Sequence, residues 1–125
     1  MNFQTTVPST SSFLCNYEEV EIEKPSDGSN GNCIVHYGSA HRNYKMHMNI
    51  RSGVREGEAI ITKSNIPYLK MNYIHGSLNG MVSRLNSDNM VVMSGWLVNG
   101  EESGIFQEFD KKGNCIWRGY YRNGK

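Results

Sequence analysis

The sequence predicts an all-β fold: an elongated, single-layer antiparallel β-meander of repeated hairpins. Three observations predict it. Glycines recur in registered columns, apolar and polar side chains alternate between them, and turn-forming pairs such as Asn99-Gly100 punctuate the alternation. Gly53, Gly76, Gly100 and Gly124 form one column, at intervals of 23, 24 and 24 residues, and Gly57, Gly80 and Gly104 follow four residues behind. Three further columns keep the register: Met46, Leu69, Met93 and Trp117; Met48, Met71, Gly95 and Gly119; Ile50, Tyr73, Leu97 and Tyr121. Repetition at a period of roughly 20–50 residues marks a fold built from stacked supersecondary units.

The chain opens on a polar stretch, 1–16, that reads as a disordered tail. In Tyr17-Glu-Glu-Val-Glu-Ile-Glu23, Val20 and Ile22 share one parity and Glu19, Glu21 and Glu23 the other. A short edge strand guarded by charge and a solvated acidic linker both fit this pattern. Residues 17–43 hold this segment and a degenerate first unit. Gly31-Asn-Cys-Ile echoes Gly113-Asn-Cys-Ile, which predicts a strand at about 32–37.

Repeats proper run over 44–125, each a hairpin. In the clearest unit a strand from Met93 to Val98 ends at Asn99-Gly100, where both residues tolerate positive φ. Glu101-Glu102-Ser103 are expected to complete that loop, with a second strand from Ile105 to Phe109. A turn at Asp110–Asn114 follows, with Asn65 and Asn89 in the place of Gly113 in earlier units. Parity puts the Met46, Met48, Ile50 type of side chain on one face and Lys45, His47, Asn49, Lys70, Asn72, Ser94, Trp96, Arg118 and Tyr120 on the other. This is the alternation of a half-buried antiparallel sheet. No unit can bury its own apolar face, so cover is expected from the neighbours, from the acidic N-terminal strand or from a second copy.

Length and composition bound the function. With 125 residues the chain is one domain long. Lys and Arg total 13 against 12 Asp and Glu. That balance argues against a nucleic-acid binder, which carries a basic excess. A mean hydropathy of -0.56 and the lack of any long apolar run exclude a membrane-spanning helix. Three cysteines, Cys15, Cys33 and Cys115, cannot make a complete disulfide framework. The N-terminus lacks the basic and apolar regions of a secretory signal. The expected setting is cytoplasmic, free or peripheral to a membrane or cytoskeletal structure, with reduced thiols.

No catalytic or cofactor signature is present: no G-x-S-x-G, phosphate-binding loop, H-E-x-x-H or dinucleotide fingerprint. Cys33 and His36, three apart on a strand, point to opposite faces. His41 and His47 read as solvated, and Glu56 and Glu58 as an exposed loop pair. No catalytic residue, cofactor or metal is expected. Trp117 and Tyr121 stand in the repeat columns and read as core. Trp96 and Tyr120 stand on the mixed face with Arg118 and Arg122 close by in sequence, and form the candidate interaction surface.

The segment Trp96-Leu-Val-Asn-Gly-Glu-Glu-Ser-Gly-Ile-Phe-Gln-Glu-Phe-Asp-Lys-Lys-Gly-Asn-Cys-Ile-Trp-Arg-Gly-Tyr-Tyr-Arg-Asn-Gly-Lys resembles the MORN repeat. The family pattern aromatic-x-Gly-x-aromatic-x-x-Gly is met by Trp117, Gly119, Tyr121 and Gly124. The preceding unit follows it with Met93, Gly95, Leu97, Gly100 and Gly104, aliphatics replacing the aromatics. Earlier units depart further, with Met71 and Met48 in the place of the first glycine. The glycine two residues after the second column is replaced by Ala59, Val82 and Phe106. The resemblance covers about 44–125. It implies a non-catalytic protein-interaction or scaffold module, binding another protein or a second copy of itself. A second reading is a peripheral module on anionic phospholipid, with Arg42, Lys45, Arg51 and Arg55 as the contact. A third is a regulatory piece of a longer enzyme. No nucleic acid is expected as partner.

Overall fold

The computed structural model describes residues 17–122. The expected tail over 1–16 and Gly124 lie outside these. The described residues form a single antiparallel sheet and one short 3₁₀ turn, Ser39–His41. The strands are β1 (Glu19–Glu23), β2 (Gly31–Tyr37), β3 (Tyr44–Arg51), β4 (Val54–Arg55), β5 (Gly57–Lys63), β6 (Ile66–Ile74), β7 (Ser77–Leu78), β8 (Gly80–Leu85), β9 (Val91–Val98), β10 (Glu101–Phe109) and β11 (Cys115–Tyr121). They follow one another across the sheet in chain order, β4 and β7 lying off the main path against β3 and β6. This is the meander of hairpins that the columns predict.

Each unit is a long strand, a two-residue turn and a return strand broken by a glycine. In Ser52-Gly53, His75-Gly76 and Asn99-Gly100 both residues have positive φ. Two-residue turns of this kind match the twist of the strands they join. The second glycine column marks where the return strand slips. Ile50 pairs with Arg55, but His47 pairs with Ile60, two residues beyond what an unbroken ladder gives. Tyr73 and Lys70 repeat the slip on Leu78 and Ser83, and Trp96 and Ser94 on Ser103 and Gln107. Gly57, Gly80 and Gly104 absorb it with φ of 85, 96 and 77°. Glu101–Ser103 are therefore strand, not loop. The return strand resumes pairing immediately after the tight turn, and the irregularity sits at Gly104 instead.

Successive units are tied by a repeated pair of hydrogen bonds. The turn amides of Gly53, Gly76 and Gly100 donate to the carbonyls of Ser29, Arg55 and Leu78 at 2.8, 3.0 and 2.8 Å. The preceding amides of Ser52, His75 and Asn99 donate to side chains, Asn30 Oδ1, Glu56 Oε2 and Asn79 Oδ1, at 3.0, 2.6 and 2.9 Å. This ladder corrects the alignment of Gly31. It stands not with Gly113 but with Gly57, Gly80 and Gly104, directly after an acceptor pair. The strand expected at about 32–37 is present as β2. Glu56 likewise is a cap for the next turn, not an idle loop carboxylate.

The core is one face of this sheet. Val35, Ala59, Ile61, Leu69, Val82 and Phe106 are fully buried on it, and the described residues form one sheet layer. Residue volume is exchanged between two facing columns. Cys33 pairs with Met48, Ala59 with Met71, Val82 with Gly95 and Phe106 with Gly119. Where the long strand gives up its side chain, the return strand supplies a larger one. Close packing at constant volume demands this compensation.

The acidic strand does not lie over the apolar face, though Tyr17 just before it packs against the core. As β1 it extends the sheet by pairing with β2, and its register slips between Glu19 and Glu21. The slip breaks the simple parity. Glu19 turns to Arg55, which donates to both carboxylate oxygens at 2.6 and 3.1 Å, while Glu21 and Glu23 lie beside His36.

Candidate interaction face

The outward face of the sheet changes character along the chain. Over β3 to β6 it carries His47, Asn49, Glu58, Lys70 and Asn72, with Ile60 half-buried and Ile74 exposed among them. Over β8 to β11 it carries Met81, Trp96, Ile105, Ile116 and Tyr120, all well exposed. Trp96 is 51% exposed and Tyr120 60%, against 7% for Trp117 and 1% for Tyr121 on the inward face. The sequence assignment of the four aromatics to surface and core thus agrees with their placement.

Met81 pairs directly with Trp96, and Ile105 with Tyr120. Ser94, Gln107 and Arg118 form one straight row across β9, β10 and β11. Trp96 and Tyr120 each lie two residues further along parallel strands. On the intervening strand Trp96 pairs with Ser103 and Tyr120 with Ile105, the slip at Gly104 lying between them. Arg118 shares this face, and Arg122 is exposed just beyond β11. Glu101 pairs with Val98 where β9 turns into β10.

Below Trp96 the register slip opens a cleft of about 650 Å³ between β6 and β8, lined by Lys70, Asn72, Ile74, Asn79, Met81 and Trp96. It forms because β6 leaves β8 after Lys70 to pair with β7.

The four basic residues considered for anionic lipid are placed differently. Arg55 is half-buried, bonded to Glu19 and to the Tyr73 hydroxyl at 3.0 Å. Its guanidinium is held above its ordinary pKa by the Glu19 hydrogen bonds. Lys45 and Arg51 share a strand face but are six residues apart, about 20 Å at ~3.3 Å per residue, beyond the reach of one headgroup. Arg42 is exposed after the 3₁₀ turn. The repeat glycines within the described residues, Gly53, Gly57, Gly76, Gly80, Gly100 and Gly104, all occupy the left-handed region as their structural role requires.

Two features escaped the sequence reading. Glu21, Glu23 and His36 present ligand atoms within 4.8 Å of one another on the exposed β1–β2 edge. His36 hydrogen-bonds Glu23, so the group ties the edge strand to its neighbour. No pairing of residues thirteen apart is visible without the hairpin register. The second is Glu102, 5% exposed, with Oε2 lacking any hydrogen-bond partner. It is buried because residues 101–103 are strand. Together with burial of the ring itself, Glu102 and Glu108 push the Tyr121 hydroxyl up to about 12. Cys33 lies in the core and His36 on the other face, as their spacing requires.

Compared with protein-family models, with curated proteins and with solved structures, the chain matched none.

Proposed function

We propose that the chain is a non-catalytic, MORN-like repeat module that recognises another protein through the outward face of β8–β11. One observation carries the reading: Met81, Trp96, Ile105 and Tyr120 are each 44–61% exposed on a face whose inward counterparts are buried. A contiguous apolar surface with aromatic anchors is what protein interfaces use and what isolated soluble surfaces avoid. The Trp117-x-Gly119-x-Tyr121 pattern and the ladder of glycine turns support the family likeness. The anionic-lipid reading is the second choice: surface anchoring needs several cations together, and Arg55 is engaged by Glu19.

A photo-crosslinking residue at position 96, and in parallel at position 47 on β3 of the same face, tests this in cell extract. Adducts with a second polypeptide, or with a second copy, from position 96 and none from 47 are expected. Equal or absent adducts from both positions would contradict the reading.

A further inference from the structure

Each unit sets one side-chain pair of the outward face beside its register slip. In chain order the pairs are Asn32 with Asn49, Glu58 with Asn72, Met81 with Trp96, and Ile105 with Tyr120. The first two pairs are polar, the last two apolar or aromatic. Polar groups and an exposed ring therefore meet at the slip between β6 and β8, and the cleft of about 650 Å³ lies there. We propose that this cleft binds an uncharged saccharide, with a pyranose ring laid on Trp96 and its hydroxyls reaching Glu58, Asn72 and Lys70. The reading goes beyond the protein recognition proposed above. It concerns the β6 side of Trp96, whereas Ile105 and Tyr120 lie on the other side.

Both halves of the lining are available to a ligand. Trp96, Met81 and Ile74 are well exposed. Asn79 is committed to the Asn99 turn amide. Among the described residues, the side chains of Glu58, Lys70 and Asn72 are committed to no hydrogen bond or ion pair. Each stands within a strand, Glu58 opposite Asn72 and Lys70 opposite Ser83, so the sheet holds their positions. The volume falls in the range of small-molecule sites, ~300–1,000 Å³.

The chemistry of the lining selects the ligand. A pyranose with equatorial hydroxyls has apolar C–H faces and a rim of donors and acceptors. The indole offers such C–H groups a flat, electron-rich face. A carboxylate accepts, a carboxamide donates and accepts, and an ammonium donates, so Glu58, Asn72 and Lys70 cover every role a hydroxyl rim requires. Their charges balance, whereas a phosphorylated ligand calls for gathered cations. An apolar peptide would bury this polar wall without partners, at a cost. The neighbouring slips lack the combination. The pairs beside the β3–β5 slip include no aromatic ring, and those beside the β9–β10 slip include no charge and no amide.

The test titrates the full chain with cellotriose and with xylotriose, whose ring hydroxyls are equatorial. Sorbitol, a polyol without a ring, and adenosine, a flat base on a sugar, are the comparisons. Binding is read from the Trp96 indole N–H and the Asn72 side-chain amide, with the buried Trp117 indole as internal control. At least one trisaccharide is expected to shift Trp96 and Asn72 saturably and to leave Trp117 in place. Trp96→Ala, read at Asn72, should weaken binding about tenfold or more, as loss of an aromatic anchor does. Glu58→Gln should weaken it about fivefold, as loss of a charge-assisted hydrogen bond does. Asn49→Ala, beside the β3–β5 slip, should leave it unchanged. No saturable shift with either trisaccharide overturns the proposal. So does binding that survives Trp96→Ala, or that sorbitol or adenosine matches. Cross-linking from position 96 is read separately, so the saccharide and protein readings can each fail alone.

Discussion

The Phe106 ring lies where a side chain on residue 95 would have to be: a Cβ built on Gly95 falls 2.3 Å from it. Gly95 has no left-handed backbone to explain its presence. It is glycine because its neighbour is large. Gly95→Ala should therefore destabilise the chain by overpacking, by about 1–3 kcal/mol. In a Phe106→Leu background the same substitution should cost clearly less. Urea melts of the four proteins give the coupling. Purely additive effects would mean that Gly95 serves some purpose other than accommodating Phe106.

Arg55 holds β1 to the array. Its bidentate bond to Glu19 is supported from the other side by the Tyr73 hydroxyl, which in turn reaches Met46 Sδ at 3.8 Å. Arg55→Met should cost about 1.5–3 kcal/mol, the range for hydrogen bonds to charged groups. The loss should be local. Amides of β1 and the β2 edge should exchange faster while those of β9 and β10 keep their protection. Hydrogen exchange by mass spectrometry separates this from a uniform weakening, which would contradict it.

Asn79 caps the turn of the next unit through Oδ1 and the Asn99 amide. Asn79→Leu leaves that amide without its acceptor and should cost about 1–2 kcal/mol. Asn79→Asp retains an acceptor and should recover most of the loss. Thermal melts of the two variants check the order. A leucine variant as stable as the parent would show that the ladder is incidental.

Tyr121 gives a pH dependence. Its hydroxyl is pushed up to about 12, first by burial and then by Glu102 and Glu108. An unfolded tyrosine ionises near ~10. The fold favours the protonated ring, so this contribution is complete below pH ~10 and is lost as pH rises through about 12. Tyr121→Phe should flatten the loss of stability over that window. Phenolate absorbance should show one tyrosine titrating late in the parent and absent in the variant.

The sequence carried the sheet because its signals are local and periodic. The glycine columns encode turns that need positive φ, and the Met46, Leu69, Met93 and Trp117 column encodes a buried stripe. Trp96 and Tyr120 were legible as surface from parity alone. What was hidden depends on register. Glu101–Ser103 read as loop because a double glutamate beside a turn is a common loop composition, while the slip at Gly104 is visible only in the pairing. The role of Gly31 was masked by a four-residue identity with Gly113-Asn-Cys-Ile, although Ser29 and Asn30 before it accept the same turn bonds as Arg55 and Glu56 before Gly57. The Glu19–Arg55 bond joins residues 36 apart across a bulge that shifts the parity of β1, and no pattern of spacing announces it.

Trp96 and Trp117 make the most direct comparison for the account as a whole. Both are tryptophans in the repeat array, one on each face. Each is replaced by serine and followed by urea denaturation and by cross-linking from position 120. Trp96→Ser should stay within about 0.5 kcal/mol of the parent, as an exposed site does, and should lose the cross-linked partner. Trp117→Ser should cost about 3–5 kcal/mol, as removal of a large core aromatic does. If Trp96→Ser destabilises the chain as much as Trp117→Ser, or leaves the cross-link intact, the outward face is not the recognition surface.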